Sequence, residues 1–260
     1  MSRYELAGRV VLVTGPARGI GAETARHLAR RGASVSLAGL EPGRLEVLAG
    51  EIGPNAIWFE ADVRDGGRVD AAVGGTVGRF GGIDVVIANA GVAAGATAGS
   101  TDEADFRSVL DVNLLGAWRT VRAALPHVVE RAGYVLFVSS LAALLPEGGN
   151  AAYGASKAGV ASLADSLRIE LAGTGAQVGC AYLGLVDTDM TAWKGRGAAE
   201  GRRSRLPASR AAETIVAGIE RRARVVVLPA RFLPAVYAPE VFRRLAELRA
   251  RVRPARRRGD

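Results

Sequence analysis

The sequence is poor in the residues that build disulfides, metal sites and aromatic binding surfaces. It has one cysteine, Cys180, and two histidines, and only 5% of its 260 residues are aromatic. A single cysteine cannot form a disulfide within the chain, so we expect a small buried hydrophobe in a reducing, cytoplasmic setting. Neither His27 nor His127 has a nearby carboxylate or cysteine pattern that suggests ligation, so we predict no metal site.

Long apolar runs are also missing. No run approaches the roughly 20 residues that a membrane-spanning helix needs, and the N-terminal segment has no cleavable apolar region. Hydrophobic residues still make up 49% of the chain, and the mean hydropathy is +0.15. The sequence therefore predicts a cytoplasmic protein with one sizeable core built mostly from Ala, Val and Leu.

Positive charge is abundant but uneven. The formal net charge is +8 and the pI is about 10.4, with much of the charge in residues 201–210 and 242–260. Aromatic residues do not alternate with these arginines as a single-strand nucleic-acid surface requires, so we predict no nucleic-acid partner. The apolar stretch 225–242 leaves open docking of an enzyme to an anionic membrane, although a C-terminal helix packed on the core or on another subunit is favoured.

Strand-like and helix-like segments alternate along the chain. Strands are predicted at 9–14, 34–39, 56–62, 83–91, 134–140, 176–184 and 224–229, and helices at 19–32, 43–53, 65–82, 102–131, 150–173, 207–222 and 240–252. This alternation predicts an α/β fold, a single doubly wound Rossmann-type domain with a mostly parallel sheet of about seven strands. The domain is predicted to span residues 1–253, with 191–206 as a mobile substrate flap and 254–260 as a disordered basic tail.

The first predicted strand runs into a glycine-rich loop, TGPARGIG, at residues 14–21. Gly15, Gly19 and Gly21 permit a tight turn and close approach of the backbone, and the following helix offers free N–H groups to a phosphate. The spacing is G-x-x-x-G-x-G rather than the more familiar G-x-G-x-x-G. The position of the loop predicts dinucleotide binding, with an ordinary glycine-rich turn as the alternative.

At this loop the sequence resembles the classical short-chain dehydrogenase/reductase (SDR) family, which carries T-G-x-x-x-G-x-G here. The resemblance extends over about residues 5–230 and includes the family's N-A-G motif at residues 89–91. It implies an NAD(P)-dependent oxidoreductase that moves a hydride between nicotinamide and a secondary alcohol or ketone. It also implies a homodimer or homotetramer joined through the two long helices.

The resemblance further implies a catalytic set of four residues. Tyr153 and Lys157 match the family's Y-x-x-x-K pair, Ser140 matches its catalytic serine, and Asn113 matches an asparagine of the fourth helix. In the family the serine polarises the substrate oxygen, and the asparagine's backbone supports a water in a proton relay. A cofactor-binding regulator on the same fold is the alternative from another class, but a complete catalytic set argues against a catalytically silent protein.

Lysine is rare in this chain, occurring only at Lys157 and Lys194. Tyr153 lies four residues before Lys157, so the two side chains share one helical face. A phenol has a pKa of about 10, and a nearby ammonium or an oxidised nicotinamide lowers it. We therefore predict that Tyr153 is a general acid and base. Lysine suits this position better than arginine because it can bond ribose hydroxyls and exchange protons.

The glycine loop and the family resemblance together predict the cofactor site. Its contacts are Gly15, Arg18, Gly19, Ile20, Gly21, Gly39, Asp62, Val63, Asn89, Ala90, Gly91, Tyr153, Lys157, Gly184, Val186 and Thr188. No carboxylate stands at Gly39 or Leu40 to repel a 2′-phosphate, and Arg18 resembles the basic residue of NADP-preferring members, so NADP(H) is predicted. Glu41 can reach a ribose and keeps NAD(H) as the alternative.

Apolar residues past the catalytic positions predict the character of the substrate. Met190 and Trp193, together with Leu141, Leu144 and Leu145, form a predicted apolar wall. Such residues fill cores as often as they line pockets. We predict a small hydrophobic alcohol or carbonyl compound as the substrate.

Overall fold

Seven short runs rich in valine, leucine and alanine form the sheet that the alternating pattern predicts. A computed structural model describes residues 3–190 and 205–252 of the chain. Its strands are β1 (Val10–Thr14), β2 (Ser34–Gly39), β3 (Ala56–Glu60), β4 (Val85–Ala88), β5 (Tyr134–Ser140), β6 (Gln177–Leu183) and β7 (Val225–Leu228). Residues 191–204 of the predicted flap and the predicted tail at 254–260 lie outside the described residues, so both stay predictions.

The segments between the strands form the helices. In the described part of the chain these are α1 (Gly19–Ala29), α2 (Pro42–Ile52), α3 (Gly66–Phe80), α4 (Glu103–Leu110), α5 (Gly116–Glu130), α6 (Ala151–Glu170), α7 (Ala208–Glu220), α8 (Leu233–Tyr237) and α9 (Pro239–Val252). Short 3₁₀ turns occur at Leu141–Ala143 and Ala230–Phe232. Across residues 3–190 and 205–252, no helix is both long and apolar enough to cross a membrane.

The prediction of one continuous helix over residues 102–131 is wrong in its middle. Between α4 and α5 the backbone widens into a π turn at Asp111–Leu115, in which the Gly116 N–H donates to the Asp111 carbonyl. A π turn inserts one residue without ending the helix, so the apolar spacing alone does not reveal it. The turn carries Asn113, one of the four predicted catalytic residues.

The sheet has the strand order β3-β2-β1-β4-β5-β6-β7, and every neighbouring pair is parallel. The chain leaves β1 in one direction to build β2 and β3, then returns past β1 to build the other half. The order therefore reverses between β1 and β4. In sheets of this kind a crevice opens at that point, beyond the carboxyl ends of the strands.

Helices cover both faces of the sheet, which confirms the predicted doubly wound fold. Apolar residues of α1, α2 and α7 pack on one face, and those of α3, α5 and α6 pack on the other. All residues of β1 and β4 are buried, as expected for strands covered on both sides. Cys180 is buried in β6, in agreement with its predicted role as a core residue.

At the amino-terminal edge of the sheet, a buried carboxylate joins three parts of the fold. Asp84 is 0% exposed. It accepts a hydrogen bond from the Val10 backbone N–H at 2.9 Å, from Arg9 at 2.8 Å and from Arg131 at 3.4 Å. These contacts tie β1 to the loop before β4 and to the end of α5.

Replacement of this carboxylate tests its contribution to stability. We expect Asp84→Ala to lower the free energy of unfolding by about 3 kcal/mol, because it leaves one buried N–H and two guanidinium groups without their acceptor. Urea unfolding followed by circular dichroism measures this loss. The control is Asp70→Ala, which breaks an exposed ion pair with Arg122 and should change stability by less than about 0.5 kcal/mol. Equal effects of the two substitutions would contradict the assignment.

Candidate active site

The glycine-rich loop after β1 is folded too tightly for side chains at two of its positions. Gly15 has φ +65°, and a Cβ there would lie 2.8 Å from the Ala90 Cα. A Cβ on Gly21 would lie 2.4 Å from the Gly15 carbonyl oxygen and 2.7 Å from Asn89 Nδ2. Real Cβ atoms do not approach other atoms so closely, so this loop requires glycine at both positions.

Hydrogen bonds hold this loop against the loop that follows β4. The Asn89 side-chain amide donates to the carbonyls of Thr14 at 2.9 Å and Gly15 at 3.1 Å. In return, Thr14 Oγ1 accepts from the backbone N–H groups of Asn89 at 3.2 Å and Ala90 at 3.3 Å. The two loops flank the point where the strand order reverses, so these bonds shape the crevice between them.

The start of α1 faces this crevice and is suited to bind a phosphate. Gly19 is the first residue of the helix, its N-cap Arg18 makes no side-chain capping bond, and the first turn has no acidic residue. The first backbone N–H groups of a helix have no partner within the helix, and the helix dipole adds positive potential there. Together with the close approach at the glycines, this geometry fits a dinucleotide's pyrophosphate.

One cavity of about 390 Å³ extends along the carboxyl edge of the sheet. All sixteen residues predicted to contact the cofactor line it: Gly15, Arg18, Gly19, Ile20, Gly21, Gly39, Asp62, Val63, Asn89, Ala90, Gly91, Tyr153, Lys157, Gly184, Val186 and Thr188. The structure adds thirteen lining residues that were not in that set: Ala17, Leu40, Glu41, Ala61, Arg64, Val92, Ser108, Val112, Val138, Ser139, Leu183, Asp189 and Met190. Most of these are ordinary strand-end or helix residues with no signature of their own.

Arg18 lies between two carboxylates at one end of this cavity. Its Nε is 3.3 Å from Glu41 Oε1, and its Nη1 is 3.2 Å from Asp189 Oδ2. Glu41 also pairs with Arg44, at 3.1 Å. The sequence predicted Arg18 and Glu41 as competing determinants of cofactor choice, and the structure brings them into contact with each other.

Asp62 is held by Arg64, a residue that belongs to no recognised motif. Arg64 donates to both Asp62 oxygens, at 2.9 and 2.6 Å to Oδ2 and at 3.1 Å to Oδ1. This hydrogen bonding keeps the pKa of Asp62 below its ordinary value. The carboxylate is therefore ionised and fixed in orientation at the wall of the cavity.

Tyr153 lines this cavity, and Ser140 lies close to it on the wall of a neighbouring cavity. The Ser140 hydroxyl donates to the Leu183 carbonyl at 3.2 Å and accepts from the Ala142 N–H at 3.1 Å. Burial raises the pKa of Tyr153, and a hydrogen bond from Ser140 lowers it by less. The sequence predicted that Lys157 would lower this pKa, but Lys157 is not among the groups that do so, and its Nζ lies 5.8 Å from the Tyr153 ring centroid.

Lys157 is buried, with 4% of its surface exposed. Its ammonium group donates to the Val138 carbonyl at 2.9 Å, and its own carbonyl accepts from Ser139 Oγ at 2.8 Å. These two bonds fasten α6 to β5. Burial lowers the pKa of Lys157 from its usual 10.5 to about 8, so the amine can gain or lose a proton near neutral pH.

Asn113 is buried in the π turn and faces the same region as Lys157. Its Oδ1 accepts from the Val92 N–H at 2.8 Å, and its Nδ2 donates to the Val92 carbonyl and to Ser156 Oγ, both at 2.9 Å. A Cβ on Gly91 would lie 3.3 Å from Asn113 Oδ1 and 3.4 Å from Lys157 Nζ. The structure therefore brings the Asn113 side chain and the Lys157 amine together beside Gly91.

A second cavity of about 330 Å³ opens on the other side of Tyr153. Both cavities are lined by Tyr153, Gly184 and Met190. Leu141 and Leu145 line the second cavity, as the predicted apolar wall requires. Leu144 instead belongs to the buried core, and Trp193 lies outside the described residues.

The second cavity also has walls that the sequence did not indicate. Pro229, Arg231 and Phe232 reach it from the segment after β7, and Asn150 reaches it from the start of α6. These residues carry no recognisable motif, and only the folding of the chain brings the C-terminal segment beside Ser140. Within the described ranges, no three His, Cys, Asp or Glu side chains come together as metal ligands.

Comparison with known proteins identifies the family to which the chain belongs. A family model described as short chain dehydrogenase matches residues 9–198, which is more than two thirds of the chain. The chain therefore belongs to the short-chain dehydrogenase family. It is an oxidoreductase with the family's Rossmann fold.

Individual relatives and a solved structure agree with this assignment. An uncharacterized oxidoreductase of Myxococcus xanthus is 38% identical over 192 residues, covering 72% of this chain and 76% of the relative. The cis-4-hydroxycyclohexanecarboxylate dehydrogenase of Sinomonas cyclohexanicum is 36% identical over 190 residues, covering 72% and 76%. The crystal structure of a short-chain dehydrogenase/reductase from Burkholderia phymatum in complex with NAD has a TM-score of 0.82 at 25% identity, covering 92% of this chain and 97% of that chain.

Burial of the Lys157 ammonium should lower the free energy of unfolding, because the folded state holds a charge away from water. Below about pH 8 the folded state holds this charge away from water, so we expect Lys157→Met to raise the free energy of unfolding by roughly 2 kcal/mol at about pH 7. Between pH 8 and 10.5 the unfolded chain binds a proton that the folded wild type has released. The stability of the wild type therefore rises with pH, and the difference from the variant narrows.

Urea unfolding of both proteins at about pH 7 and about pH 9.5 measures this difference. A methionine variant that is less stable than the wild type at the lower pH would contradict the expectation. A difference that does not change with pH would show that the effect is not due to titration of the amine.

Proposed function

We propose that this protein transfers a hydride between a nicotinamide dinucleotide and a secondary alcohol or ketone, with Tyr153 as general acid and base. The observation that carries the proposal is the meeting of two cavities at Tyr153. One cavity is lined by the glycine loop and the start of α1, and the other is lined by Ser140 and apolar residues. A phenol shared by both cavities is suited to exchange a proton with a substrate oxygen beside a bound cofactor.

Ser140 and Tyr153 would act on the same substrate oxygen. Both line the second cavity, and Ser140 is close enough to lower the pKa of the Tyr153 phenol, so both could reach one oxygen atom placed between them. Ser140 would hold and polarise this oxygen, while Tyr153 would give a proton to a ketone or take one from an alcohol. Burial raises the pKa of Tyr153, which keeps the phenol protonated and favours proton donation to a ketone.

Lys157 and Asn113 would supply the proton path behind Tyr153. The pKa of Lys157 is about 8 because of burial, so its amine can pass protons near neutral pH, as arginine cannot. Asn113 is fixed by hydrogen bonds to both the N–H and the carbonyl of Val92. These bonds hold the Asn113 side chain. The backbone carbonyl of Asn113 in the π turn would then be available to accept a hydrogen bond from a relay water.

The residues of the first cavity fit a nicotinamide dinucleotide. Gly15 and Gly21 give close backbone approach, and the start of α1 offers N–H groups to the pyrophosphate. Lys157 would bond the nicotinamide ribose, and Asp62 would contact the adenine. When bound, the dinucleotide supplies or accepts the hydride, and the chain's own residues orient it and manage the proton.

We further propose that NADP(H) is the preferred form. Gly39 and Leu40 place no carboxylate directly after β2, and Arg18 lines the cavity at that end. Glu41 is neutralised by Arg18 and Arg44, so it offers little repulsion to a 2′-phosphate. An added phosphate would exchange with Glu41 or Asp189 as the partner of Arg18.

The substrate would be a small alcohol or ketone with a hydrocarbon body. Leu141, Leu145 and Phe232 make much of the second cavity apolar, and apolar walls favour burial of hydrocarbon. The Sinomonas relative is named for a substrate in which a cyclohexane ring carries the hydroxyl group. A cyclohexanol-like alcohol is therefore the first class to test.

A homo-oligomer, dimer or tetramer, is part of the same proposal. Leu115 lies at the end of the π turn, Trp118 lies in α5 and Ile169 in α6, and they are 44%, 45% and 79% exposed. Large apolar side chains on the two long helices are suited to helix packing between subunits. This is the surface through which the family resemblance implies that subunits join.

Substitution of the phenol separates binding from catalysis. We expect Tyr153→Phe to bind NADPH within about 3-fold of the wild type, because the ring still packs, but to lose at least about 1000-fold in turnover, because the proton donor is gone. Cofactor fluorescence measures binding, and absorbance of the reduced nicotinamide measures turnover with cyclohexanols and cyclohexanones. Tyr237→Phe, at a position that is 75% exposed, is the matched control. Unchanged turnover in Tyr153→Phe, or a wild type that binds cofactor but turns over no alcohol or ketone, would favour the regulator.

Substitution of Arg18 tests the choice of cofactor by binding alone. We expect the wild type to bind NADPH more tightly than NADH, and Arg18→Gln to weaken NADPH binding by about 10-fold or more, with a smaller effect on NADH. Calorimetric titration of the wild type and the variant with both cofactors gives the four dissociation constants. Arg30→Gln, at an exposed position just after the end of α1, controls for a general change in charge. Tighter binding of NADH than NADPH by the wild type would overturn the preference.

A further inference from the structure

The second cavity has one positively charged side chain among its described lining residues, Arg231. It lies in the 3₁₀ turn Ala230–Phe232, directly after β7. The rest of the wall is mainly apolar, with Leu145, Met190 and Leu206 among its members. Arg231 is itself exposed, so its guanidinium stays solvated at this wall and can meet a ligand of opposite charge that enters the cavity.

Arg231 is held in place but keeps its hydrogen-bond donors available. Its guanidinium carbon lies 5.0 Å from the centroid of the Phe232 ring, a contact that restrains the side chain. Among the described residues no carboxylate forms an ion pair with it, whereas Arg205, Arg210 and Arg224 in the same half of the chain all do. Its fork of N–H groups can therefore bind a carboxylate through two parallel hydrogen bonds.

Asn150 gives a second, independent sign of a polar ligand in this cavity. It is 5% exposed and lines the same cavity as Arg231. As the N-cap of α6 it would ordinarily accept a bond from its own helix, yet it makes no side-chain capping bond, and its Oδ1 has no hydrogen-bond partner among the described residues. A buried amide left in this way costs stability unless a ligand bonds to it, and rotation of the amide can turn either its oxygen or its nitrogen toward that ligand.

Glu147 is an opposing charge on the same wall. It is exposed, so water screens its repulsion of an anion more than it would in the interior. Replacement of Glu147 is therefore a second test. Removal of this negative charge should raise the affinity for an anion, whereas removal of the positive charge of Arg231 should lower it.

We propose that Arg231, assisted by the Asn150 amide, binds an acidic group on the substrate, so that the preferred substrates are hydroxy acids or keto acids with an apolar body between the acidic group and the reacting oxygen. The inference rests on the proposed function, because the substrate's other end would lie at Ser140 and Tyr153. Arg231 would be a specificity-determining residue. It would act on the affinity for the substrate and leave proton transfer unchanged.

Binding of a matched pair of ligands tests the inference without turnover. Cyclohexanecarboxylate and cyclohexanecarboxamide have nearly the same shape, but only the first is charged. We expect the wild type, saturated with cofactor, to bind the carboxylate at least about 10-fold more tightly than the amide in calorimetric titration. Arg231→Gln should remove this preference, Arg231→Lys should keep most of it, and Glu147→Gln should strengthen it.

Each other outcome overturns the inference. Equal binding of the two ligands by the wild type, failure to bind either one, or an unchanged preference in Arg231→Gln would each do so. Thermal unfolding of Arg231→Gln should match that of the wild type, and an amide affinity that falls together with the carboxylate affinity would indicate a structural role instead.

Steady-state turnover separates this inference from the proposed function. We expect Arg231→Gln to raise KM for 4-hydroxycyclohexanecarboxylate by about 10-fold to 100-fold. KM for 4-hydroxycyclohexanecarboxamide should change by less than about 2-fold, and kcat should stay similar for both. Turnover of neutral alcohols with no role for Arg231 would remove the inference and leave the proposed function standing. Cofactor binding without turnover of any alcohol would remove the proposed function.

Discussion

The parallel arrangement of the sheet is the constraint on which the rest of this structure depends. When all strands run the same way, their carboxyl ends meet at one edge, and every loop that follows a strand emerges there. The reversal of strand order between β1 and β4 then separates the loops and opens a crevice. The glycine loop after β1, Asn89 after β4 and Ser140 at the end of β5 are far apart in sequence. This arrangement brings the first two to the first cavity and Ser140 to the second, and the two cavities share Tyr153.

The helix that carries Tyr153 and Lys157 is positioned by contacts that also cost stability. Lys157 is buried against β5, where it donates to the Val138 carbonyl, and Ser139 bonds the Lys157 carbonyl in return. Asn113 reaches the same region only because the π turn rotates it toward Val92 and Ser156. A buried amine and a widened helical turn are both less stable than ordinary helix packing. Their presence is understandable where a proton must move between buried groups.

The chain has arginine rather than lysine at nearly all of its basic positions. In the structure these arginines occupy two kinds of position. At the amino-terminal edge of the sheet, Arg9 and Arg131 both pair with the buried Asp84 and fasten elements together. Near the two cavities, Arg18 and Arg231 lie where charged groups of a cofactor and a substrate would be recognised. A planar guanidinium suits both tasks because it forms two parallel bonds to an oxyanion. The buried position one helical turn after Tyr153, by contrast, is occupied by Lys157.

The sequence by itself determined the alternating elements and the parallel sheet, because local apolar spacing reports on local backbone requirements. The glycine motif and the family resemblance also picked out sixteen residues that line the first cavity. The sequence missed the π turn around Asn113, because one inserted residue leaves the apolar pattern nearly unchanged. It also predicted a lowered pKa for Tyr153, whereas burial raises it, and burial is not a local property. Arg231 and Asn150 became visible only in the tertiary structure, because the walls of the second cavity come from segments about eighty residues apart. No short-range pattern relates such segments, so only the packing of the C-terminal chain beside α6 decided what the second cavity can bind.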